Sequence, residues 1–284
     1  MIIDTLQKIA TEAASKQSSP LYVRTLLKEE IQNFILYFVY NSQKYKTLLF
    51  TGGTCLRKVY GLPRLSEDLD FDFLTDFSID VFSKELQDYF ISTLQYKYIE
   101  LKTATNKKTV YLKFPSLLSE LGLTQEQVKS SVLFVRCDFS KESCGVYDTE
   151  IHSLSTSEFT FFVQSYDLAT LFANKITAFL KREYFKGSNQ ENAFKGRDVF
   201  DIVWFIEKSK RNNFELKPNW PRLKIVFPDT SKEEIIELMV QKIQHIDTSK
   251  VYEDLAPFIE QEQNIRVFVD NFAMIIRQNA RNLT

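Results

Sequence analysis

Three aspartates alternate along one short segment of the sequence, a spacing that can do metal chemistry. Asp68, Asp70 and Asp72 are separated by single apolar residues, so on a β-strand they share one face. Carboxylates on one face repel one another, and a divalent cation is the most economical neutralising partner. Such oxygen ligands suit Mg²⁺, which takes one or two protein carboxylates together with substrate phosphates. The segment predicts a Mg²⁺ site, with Mn²⁺ as an alternative ion, unless the aspartates merely face solvent on a half-buried edge strand.

A glycine pair precedes the aspartates at a predicted strand-to-helix turn. The apolar run 48–50 predicts a short buried strand, and Gly52-Gly53 lets the backbone turn tightly and approach a ligand. Thr54 is the predicted N-cap of a short helix that Gly61 ends. Because free N–H groups and the positive end of the helix dipole favour an anion, this turn suits phosphate. A phosphate cradle beside metal-binding carboxylates predicts phosphoryl or nucleotidyl transfer.

The two motifs together resemble a known signature. Gly-Gly-Thr-x-Leu-Arg-x-x-Tyr begins at Gly52, and Arg64-x-Ser66-x-Asp68-x-Asp70 follows it. This pattern is similar to that of the AbiEii/AbiGii-type nucleotidyltransferase toxins, which belong to the DNA polymerase β-like nucleotidyltransferase superfamily. The resemblance implies that Asp68 and Asp70 hold the metal. It also implies a nucleotide-binding set formed by Gly52, Gly53, Thr54, Arg64 and Ser66.

Apolar periodicity divides the chain into a mixed first part and a helical second part. Strand-like runs recur up to about residue 165, and helical spacing dominates afterwards. The resemblance covers about residues 20–210 and implies an α+β fold, with a polymerase β-like domain whose mixed sheet is flanked by helices. We therefore predict a nucleotidyltransferase domain over 1–160 and a helical domain over 161–284 that completes the active-site cleft.

A third carboxylate is expected on a neighbouring strand, as in polymerase β-like folds. Residues 131–139 predict the strongest strand after the central one, with Arg136 and Asp138 on the same face. The resemblance implies that Asp138 ligates a second ion or accepts the proton of the attacking hydroxyl. An aspartate that simply caps the strand end is the alternative, and Asp148 and Glu150 are weaker substitutes in the following loop.

The helical part contains a second group of charged residues. Lys175 lies beside the apolar stripe of a predicted helix over 166–183, where a lysine ordinarily extends its ammonium group into solvent. Asp198 and Asp201 begin the next helix, where carboxylates favour the helix dipole. The resemblance instead implies that Lys175 contacts the nucleotide phosphates and that Asp198 supports the site by orienting Lys175 or the acceptor. Arg197 stands where the family commonly has a lysine before the first of these aspartates.

A polar loop over 186–192 connects these two helices and is longer than a minimal connection. We predict a mobile element over the cleft. The basic residues around this loop are Lys181, Arg182, Lys186, Lys195 and Arg197. They form either a solvated helix end or a contact for the phosphate backbone of an RNA acceptor.

The composition of the whole chain sets the remaining limits. Lys plus Arg number 36 and Asp plus Glu 37 in 284 residues, so the net charge of −1 gives no general attraction to polyanions. Three cysteines without zinc spacing fit a reducing compartment, and two histidines exclude a His-rich metal site. No apolar run approaches the roughly 20 residues of a membrane span. We expect a soluble, cytoplasmic protein that does not associate with a membrane.

The leading functional hypothesis is Mg²⁺-dependent transfer of a nucleoside monophosphate from an NTP to an acceptor hydroxyl. The resemblance implies that the acceptor is RNA, at a tRNA 3′ end, and that the protein is a toxin restrained by a cognate antitoxin. Two alternatives stay open. One is transfer of nucleotide or phosphate to a protein hydroxyl, and the other is a non-catalytic module that binds a nucleotide or a partner.

Overall fold

The computed structural model of the chain describes residues 2–123, 132–182, 184–185, 191–192 and 194–284. The chain divides into two compact units. The sheet unit comprises Met1–Ser143 and Thr149–Ser165, and the helical unit comprises Cys144–Asp148 and Tyr166–Thr284. The short segment Cys144–Asp148 thus belongs to the helical unit although it precedes two strands of the sheet unit, which no sequence pattern indicated.

A seven-stranded mixed sheet organises the sheet unit. Its strands are, in chain order, β1 Leu49–Thr51, β2 Asp68–Phe73, β3 Glu100–Thr103, β4 Thr109–Phe114, β5 Leu133–Lys141, β6 Thr149–Ser155 and β7 Thr160–Tyr166. Their spatial order is β3-β4-β5-β2-β1-β7-β6. β2 pairs in parallel with β5 and antiparallel with β1. The strand that carries the alternating aspartates is therefore central, and the edge-strand alternative is wrong.

Aromatic side chains on the buried face specify the register of the three central strands. Phe71 of β2 pairs in register with Phe50 of β1 and with Phe139 of β5. The ring centroids are 5.7 Å apart in both contacts, and each of the three residues is at most 1% exposed. A slip of one residue would move these rings to the opposite face. Because side chains alternate along a strand, the packed rings direct the aspartates of β2 to the other face.

The helices of the sheet unit follow local signals in the sequence. Their bounds are α1 Ile2–Ser15, α2 Pro20–Asn41, α3 Gly52–Tyr60, α4 Ile79–Asp88 and α5 Leu117–Glu120. Ser19 caps α2 by accepting a hydrogen bond from the Tyr22 N–H, and Ser78 caps α4 in the same way. Gly61 ends α3 in the left-handed conformation, with φ of 77°. The predicted end of this short helix is confirmed.

The helical unit is built from six described α-helices and a final 3-10 helix, Ala280–Leu283. The bounds of the α-helices are α6 Leu168–Lys181, α7 Gly196–Arg211, α8 Trp220–Val226, α9 Lys232–Gln244, α10 Thr248–Leu255 and α11 Glu262–Asn279. Asp167 caps α6 by accepting a hydrogen bond from the Thr170 N–H at 3.0 Å. Phe172 of α6 stacks on Phe205 of α7 with ring centroids 4.3 Å apart. None of the described helices in either unit combines the length and apolar character needed to cross a membrane.

Two short strands lie between α6 and α7. β8 Tyr184–Phe185 pairs antiparallel with β9 Glu191–Asn192. The predicted mobile loop over 186–192 therefore ends in strand residues. Its first part, 186–190, which includes Lys186, lies outside the described residues.

Candidate active site

The pairing of β2 with β5 brings charged residues from distant segments side by side. Asp70 lies in register with Asp138, and Asp68 lies in register with Arg136. Residues in register on neighbouring strands point to the same face of a sheet, so the four charged side chains form one group opposite the packed aromatic rings. We call the group Asp68, Asp70, Arg136 and Asp138 the carboxylate cluster.

Arg136 contacts two of the three carboxylates. Its Nη2 donates a hydrogen bond to Asp68 Oδ2 at 2.6 Å, and its Nε lies 2.8 Å from Asp138 Oδ2. The side chains of Asp68, Asp138 and Arg136 are 26%, 28% and 36% exposed. Partial burial by itself lowers the pKa of Arg136, but the carboxylates of Asp68, Asp138 and Asp70 raise it above its usual value overall. Arg136 is thus a permanent cation within the cluster.

The carboxylate of Asp138 is held on both of its oxygens. Thr109 of β4, which pairs in register with Asp138, donates its hydroxyl to Oδ1 at 2.6 Å. Oδ2 faces the Arg136 guanidinium. The backbone pairing and these two side chains together fix the direction in which the carboxylate points.

Neither of the other two candidates for the third carboxylate is on a strand that pairs with β2. Glu150 is on β6 and accepts a hydrogen bond from the Tyr60 hydroxyl at 2.9 Å, with His152 Nε2 3.0 Å away. Asp148 belongs to the helical unit. Asp138 is therefore the candidate that strand register places beside Asp70, and its chemical role stays a prediction.

Gly52 makes room for the carboxylate of Asp70. Its backbone has φ of 76°, and a Cβ atom at this position would lie 2.0 Å from Asp70 Oδ2. Both the left-handed conformation and the close approach therefore require glycine. Gly52 begins α3, and Thr51 at the N-cap makes no side-chain capping hydrogen bond. The Asp70 carboxylate thus lies against the first turn of a helix, where N–H groups and the dipole favour anions.

Gly53 allows a similar close approach by the second half of the motif. A Cβ atom here would lie 2.8 Å from Arg64 Nη2 and 3.0 Å from Ser66 Oγ. Arg64 is 3% exposed, and its Nη1 donates to the Leu65 carbonyl at 2.9 Å. The structure therefore brings Arg64 and Ser66, both predicted to bind nucleotide, against the first turn of α3. The burial of Arg64 also indicates that it stabilises this turn.

Thr54 is not the helix cap that the sequence predicts. α3 begins two residues earlier, at Gly52, and its N-cap is Thr51. Thr54 is fully buried and donates its hydroxyl to the backbone carbonyl of Asp68, which joins α3 to β2. Helix propensity disfavours glycine, so the local pattern moved the predicted start beyond the glycine pair. The tertiary contacts of both glycines outweigh that propensity.

Two buried ion pairs connect the α6 segment to α7 in the helical unit. Lys175 Nζ lies 2.6 Å from Asp201 Oδ2, and Arg182 Nε lies 2.6 Å from Asp198 Oδ2. The side chains of Asp201, Asp198 and Lys175 are 0%, 7% and 13% exposed, whereas that of Arg182 is 27% exposed, so the aspartates are the buried members of these pairs. The resemblance implies that Asp198 orients Lys175 or the acceptor; in the structure Asp201 contacts Lys175, and the role of Asp198 stays a prediction. α7 is antiparallel to α6, so the first turn of α7 lies beside the end of α6. Asp201 is one turn further along α7 and therefore faces the middle of α6.

Other basic residues near the predicted loop also contact groups within the helical unit. Lys181 Nζ donates to the Val226 carbonyl at 3.1 Å, and the Arg197 guanidinium lies 4.5 Å from the centre of the Phe258 ring. Cation–π contacts of this kind fix a guanidinium against a helix surface. These contacts account for Lys181 and Arg197 without an RNA ligand.

The carboxylate cluster supplies oxygen ligands of the kind that Mg²⁺ takes. Asp68 and Asp70 share a face beside a glycine turn that leaves no space for a side chain. Within residues 2–123, 132–182 and 194–284, no three His, Cys, Asp or Glu side chains converge so as to hold one ion. This donor set fits an ion that completes its coordination with water and substrate phosphates better than an ion enclosed by protein.

Two solved structures are similar to the whole chain. MenT4, a nucleotidyltransferase toxin from Mycobacterium tuberculosis H37Rv, aligns with a TM-score of 0.52 and 13% identity, over 99% of this chain and 91% of that chain. JHP933 from Helicobacter pylori aligns with a TM-score of 0.47 and 14% identity, over 91% of this chain and 93% of that chain. The likeness to MenT4 shows the fold, and the predicted α+β fold of the polymerase β-like class is confirmed.

A family model provides the assignment that these distant structures do not. No curated protein sequence matches the chain. The model for the nucleotidyl transferase AbiEii toxin of type IV toxin–antitoxin systems matches residues 35–269, which include the glycine turn, the carboxylate cluster and both buried ion pairs. The resemblance carried by the glycine and aspartate motifs is thereby confirmed. This chain belongs to the AbiEii family of nucleotidyltransferase toxins.

Proposed function

We propose that this nucleotidyltransferase moves a nucleoside monophosphate from an NTP to a hydroxyl of RNA, at a tRNA 3′ end, in a reaction that requires Mg²⁺. The observation that carries the proposal is the contact between the Asp70 carboxylate and Gly52 at the start of α3. It places a carboxylate suited to a metal ion next to helix N–H groups suited to phosphate. Mn²⁺ has similar ligand preferences and should replace Mg²⁺ in the assay.

The transfer exchanges one phosphorus–oxygen bond for another. The acceptor oxygen attacks the α-phosphorus of the NTP, the bond to the bridging oxygen breaks, pyrophosphate leaves, and the hydroxyl proton passes to Asp138 or to solvent water. A bound Mg²⁺ supplies charge neutralisation and orients the phosphates. Asp68 and Asp70 would hold that ion, and the N–H groups of Gly53 and Thr54 would bind phosphate oxygens with the Ser66 hydroxyl. Positioning and charge therefore do most of the work of the protein.

The roles proposed for residues of the helical unit rest on the family pattern. Lys175 would add a compact positive charge to the nucleotide phosphates. Its buried partner Asp201 fixes the ammonium group, with the two atoms 2.6 Å apart. Asp198 would support the site through Arg182, which it contacts at the same distance.

The biological role follows from membership of a toxin family. Modification of tRNA 3′ ends would block aminoacylation and stop growth in the cytoplasm, and a cognate antitoxin would restrain the enzyme. The type IV toxin–antitoxin description of the family supports the toxin role and the antitoxin, and the tRNA acceptor is part of the proposal.

The test is incorporation of label into RNA. Purified full-length protein is incubated with total RNA, Mg²⁺ and each α-³²P-labelled NTP in turn, and RNA and protein are separated on gels. We expect a labelled RNA band of tRNA size with at least one NTP and no label with Asp70→Asn. Asp76→Asn is the matched control, because Asp76 is an exposed aspartate that pairs with Lys141 at 3.1 Å on the surface.

Each contrary outcome identifies a different alternative. Label on a protein band without label on RNA would replace the RNA acceptor with a protein hydroxyl. Absence of labelling by the wild type, together with equal growth inhibition by wild type and Asp70→Asn, would reject catalysis by this site and favour a binding module.

A further inference from the structure

Arg136 lies where a second cation would have to bind in the carboxylate cluster. Its guanidinium is 2.6 Å from Asp68 Oδ2 and 2.8 Å from Asp138 Oδ2, so it bridges the carboxylates of two neighbouring strands. In two-metal sites the ions lie about 3.5–4 Å apart and share carboxylate ligands. A second ion between Asp68 and Asp138 would therefore have to displace the guanidinium.

The surroundings of Asp138 hold the guanidinium in place. Asp138 Oδ1 accepts a hydrogen bond from the Thr109 hydroxyl at 2.6 Å, which directs Oδ2 towards Arg136. Arg136 and Asp138 are two residues apart on β5 and share a face. The β5 backbone, the Thr109 hydroxyl and the Asp138 carboxylate thus hold the Arg136 guanidinium in a fixed position, directed towards Asp68.

Charge balance supports a single added ion. With all three carboxylates ionised, Asp68, Asp70 and Asp138 carry three negative charges, and Arg136 returns one positive charge. Before an NTP adds its own charges, the remaining two negative charges match one divalent cation. A second divalent cation would have to bind beside the guanidinium, and Coulomb repulsion between these two positive charges opposes that.

We infer that Arg136 replaces the second metal ion of a two-metal site, so that the cluster takes up one divalent cation through Asp68 and Asp70. Asp138 and Thr109 are then positioning residues for Arg136. This inference rests on the proposed function, since it concerns the ion that accompanies the NTP. It changes the expectation for Asp138, which holds the fixed cation in place of ligating a second ion.

The test counts metal ions directly. Full-length protein is dialysed to equilibrium against Mn²⁺ with each of the four α,β-methylene NTP analogues, and Mn²⁺ and nucleotide bound per chain are measured. We expect one Mn²⁺ per bound nucleotide in the wild type and in Arg136→Lys, which keeps the charge. Arg136→Met removes the charge but keeps much of the volume, and we expect it to bind two. Its first Mn²⁺ should also bind about tenfold more tightly, because a nearby repulsive charge is gone.

Thermal unfolding and circular dichroism establish that each variant is folded. If Arg136→Met does not fold, the counts for the wild type and Arg136→Lys still decide the question. Two Mn²⁺ ions per nucleotide in the wild type, or one in a folded Arg136→Met, would overturn the inference.

The same experiment separates this inference from the proposed function. If the wild type labels RNA but binds two Mn²⁺ ions, only the inference about Arg136 is wrong. If the wild type binds neither Mn²⁺ nor any analogue and labels no RNA, both the inference and the proposed function are wrong.

Discussion

The carboxylate cluster and the ion pairs of the helical unit use the same chemical groups in different surroundings. The side chains of Asp68, Asp138 and Arg136 are about a quarter to a third exposed, whereas those of Asp201 and Asp198 are 0% and 7% exposed. Partly exposed pairs add little stability. A buried pair that loses one member leaves a desolvated charge. The cluster is therefore suited to receive an incoming charge, and the buried pairs are suited to hold fixed positions.

The largest effect is expected from Asp201→Asn. This change removes the carboxylate next to Lys175, whose side chain is only 13% exposed. We expect the free energy of unfolding to fall by about 3–5 kcal/mol, measured by urea denaturation. The double variant Lys175→Met/Asp201→Leu should recover most of the loss, since it removes both charges. A loss below about 1 kcal/mol for Asp201→Asn would mean that this buried pair contributes no more to stability than an exposed pair does.

The next largest effect is expected from Gly52→Ala, and it should fall on activity. The new Cβ would lie 2.0 Å from Asp70 Oδ2 and must displace that carboxylate. Because misplacement of a reacting group by about 1 Å costs about a hundredfold in rate, we expect RNA labelling to slow about a hundredfold.

Gly61→Ala is the matched control for this prediction. Gly61 has φ of 77°, nearly that of Gly52, but a Cβ there would meet nothing within 4 Å. Both variants should lose about 1 kcal/mol of stability from the left-handed conformation. Equal activity in the two variants would show that backbone strain matters and that the approach of Asp70 to Gly52 does not.

A third prediction concerns Lys58, a cation of the sheet unit with neutral hydrogen-bond partners. Its Nζ donates to the Glu29 carbonyl at 2.9 Å and to Asn33 Oδ1 at 2.6 Å. Burial lowers the pKa of Lys58 to about 8, although the carboxylates of Glu29 and Glu30 raise it. Between pH 8 and about 10.4 the unfolded chain therefore binds more protons than the folded one, so stability rises with pH.

The expected rise is on the order of 1–3 kcal/mol in the free energy of unfolding from pH 8 to pH 10. It is measured by urea denaturation at several pH values. Lys58→Met should lack this contribution, so the free energy of unfolding of the variant minus that of the wild type should fall by the same amount as pH rises. Parallel curves for the two proteins would mean that carboxylates compensate for the burial of Lys58.

The smallest effect is expected from Asp138→Asn. The pair with Arg136 is partly exposed, so its loss should change the free energy of unfolding by about 0–1 kcal/mol. Denaturation of this variant beside Asp201→Asn compares the two regions directly. A loss as large as that of Asp201→Asn would remove the distinction between a partly exposed cluster and a buried pair.

Much of the fold and part of the site could be predicted from local patterns. Alternation assigned the faces of β2 and β5 correctly, with Leu69, Phe71, Val135 and Cys137 buried. The glycine pair and the aspartates also identified the family. Local patterns failed for the Thr54 cap, because two glycines with tertiary contacts began the helix where propensity disfavours it.

The role of Arg136 shows a different limit. Its position on the same face as Asp138 was visible in the sequence, and it could have been recognised as a neutralising partner. The sequence predicts a metal ion as the neutralising partner, since a single strand gives no indication that Arg136 lies beside Asp68. That contact depends on pairing between segments 68 residues apart in the chain.

The sequence by itself determined which residues share a face, where the glycine turn lies and which family the chain belongs to, because these follow from spacing and residue type. Only the tertiary structure decided the partners: Arg136 for Asp68 and Asp138, and Asp201 for Lys175. Periodicity fixes the direction of a side chain but not its neighbour on the next strand or helix. That neighbour is set by packing, as when Phe71 stacks between Phe50 and Phe139 and so fixes the register of the charged face behind it.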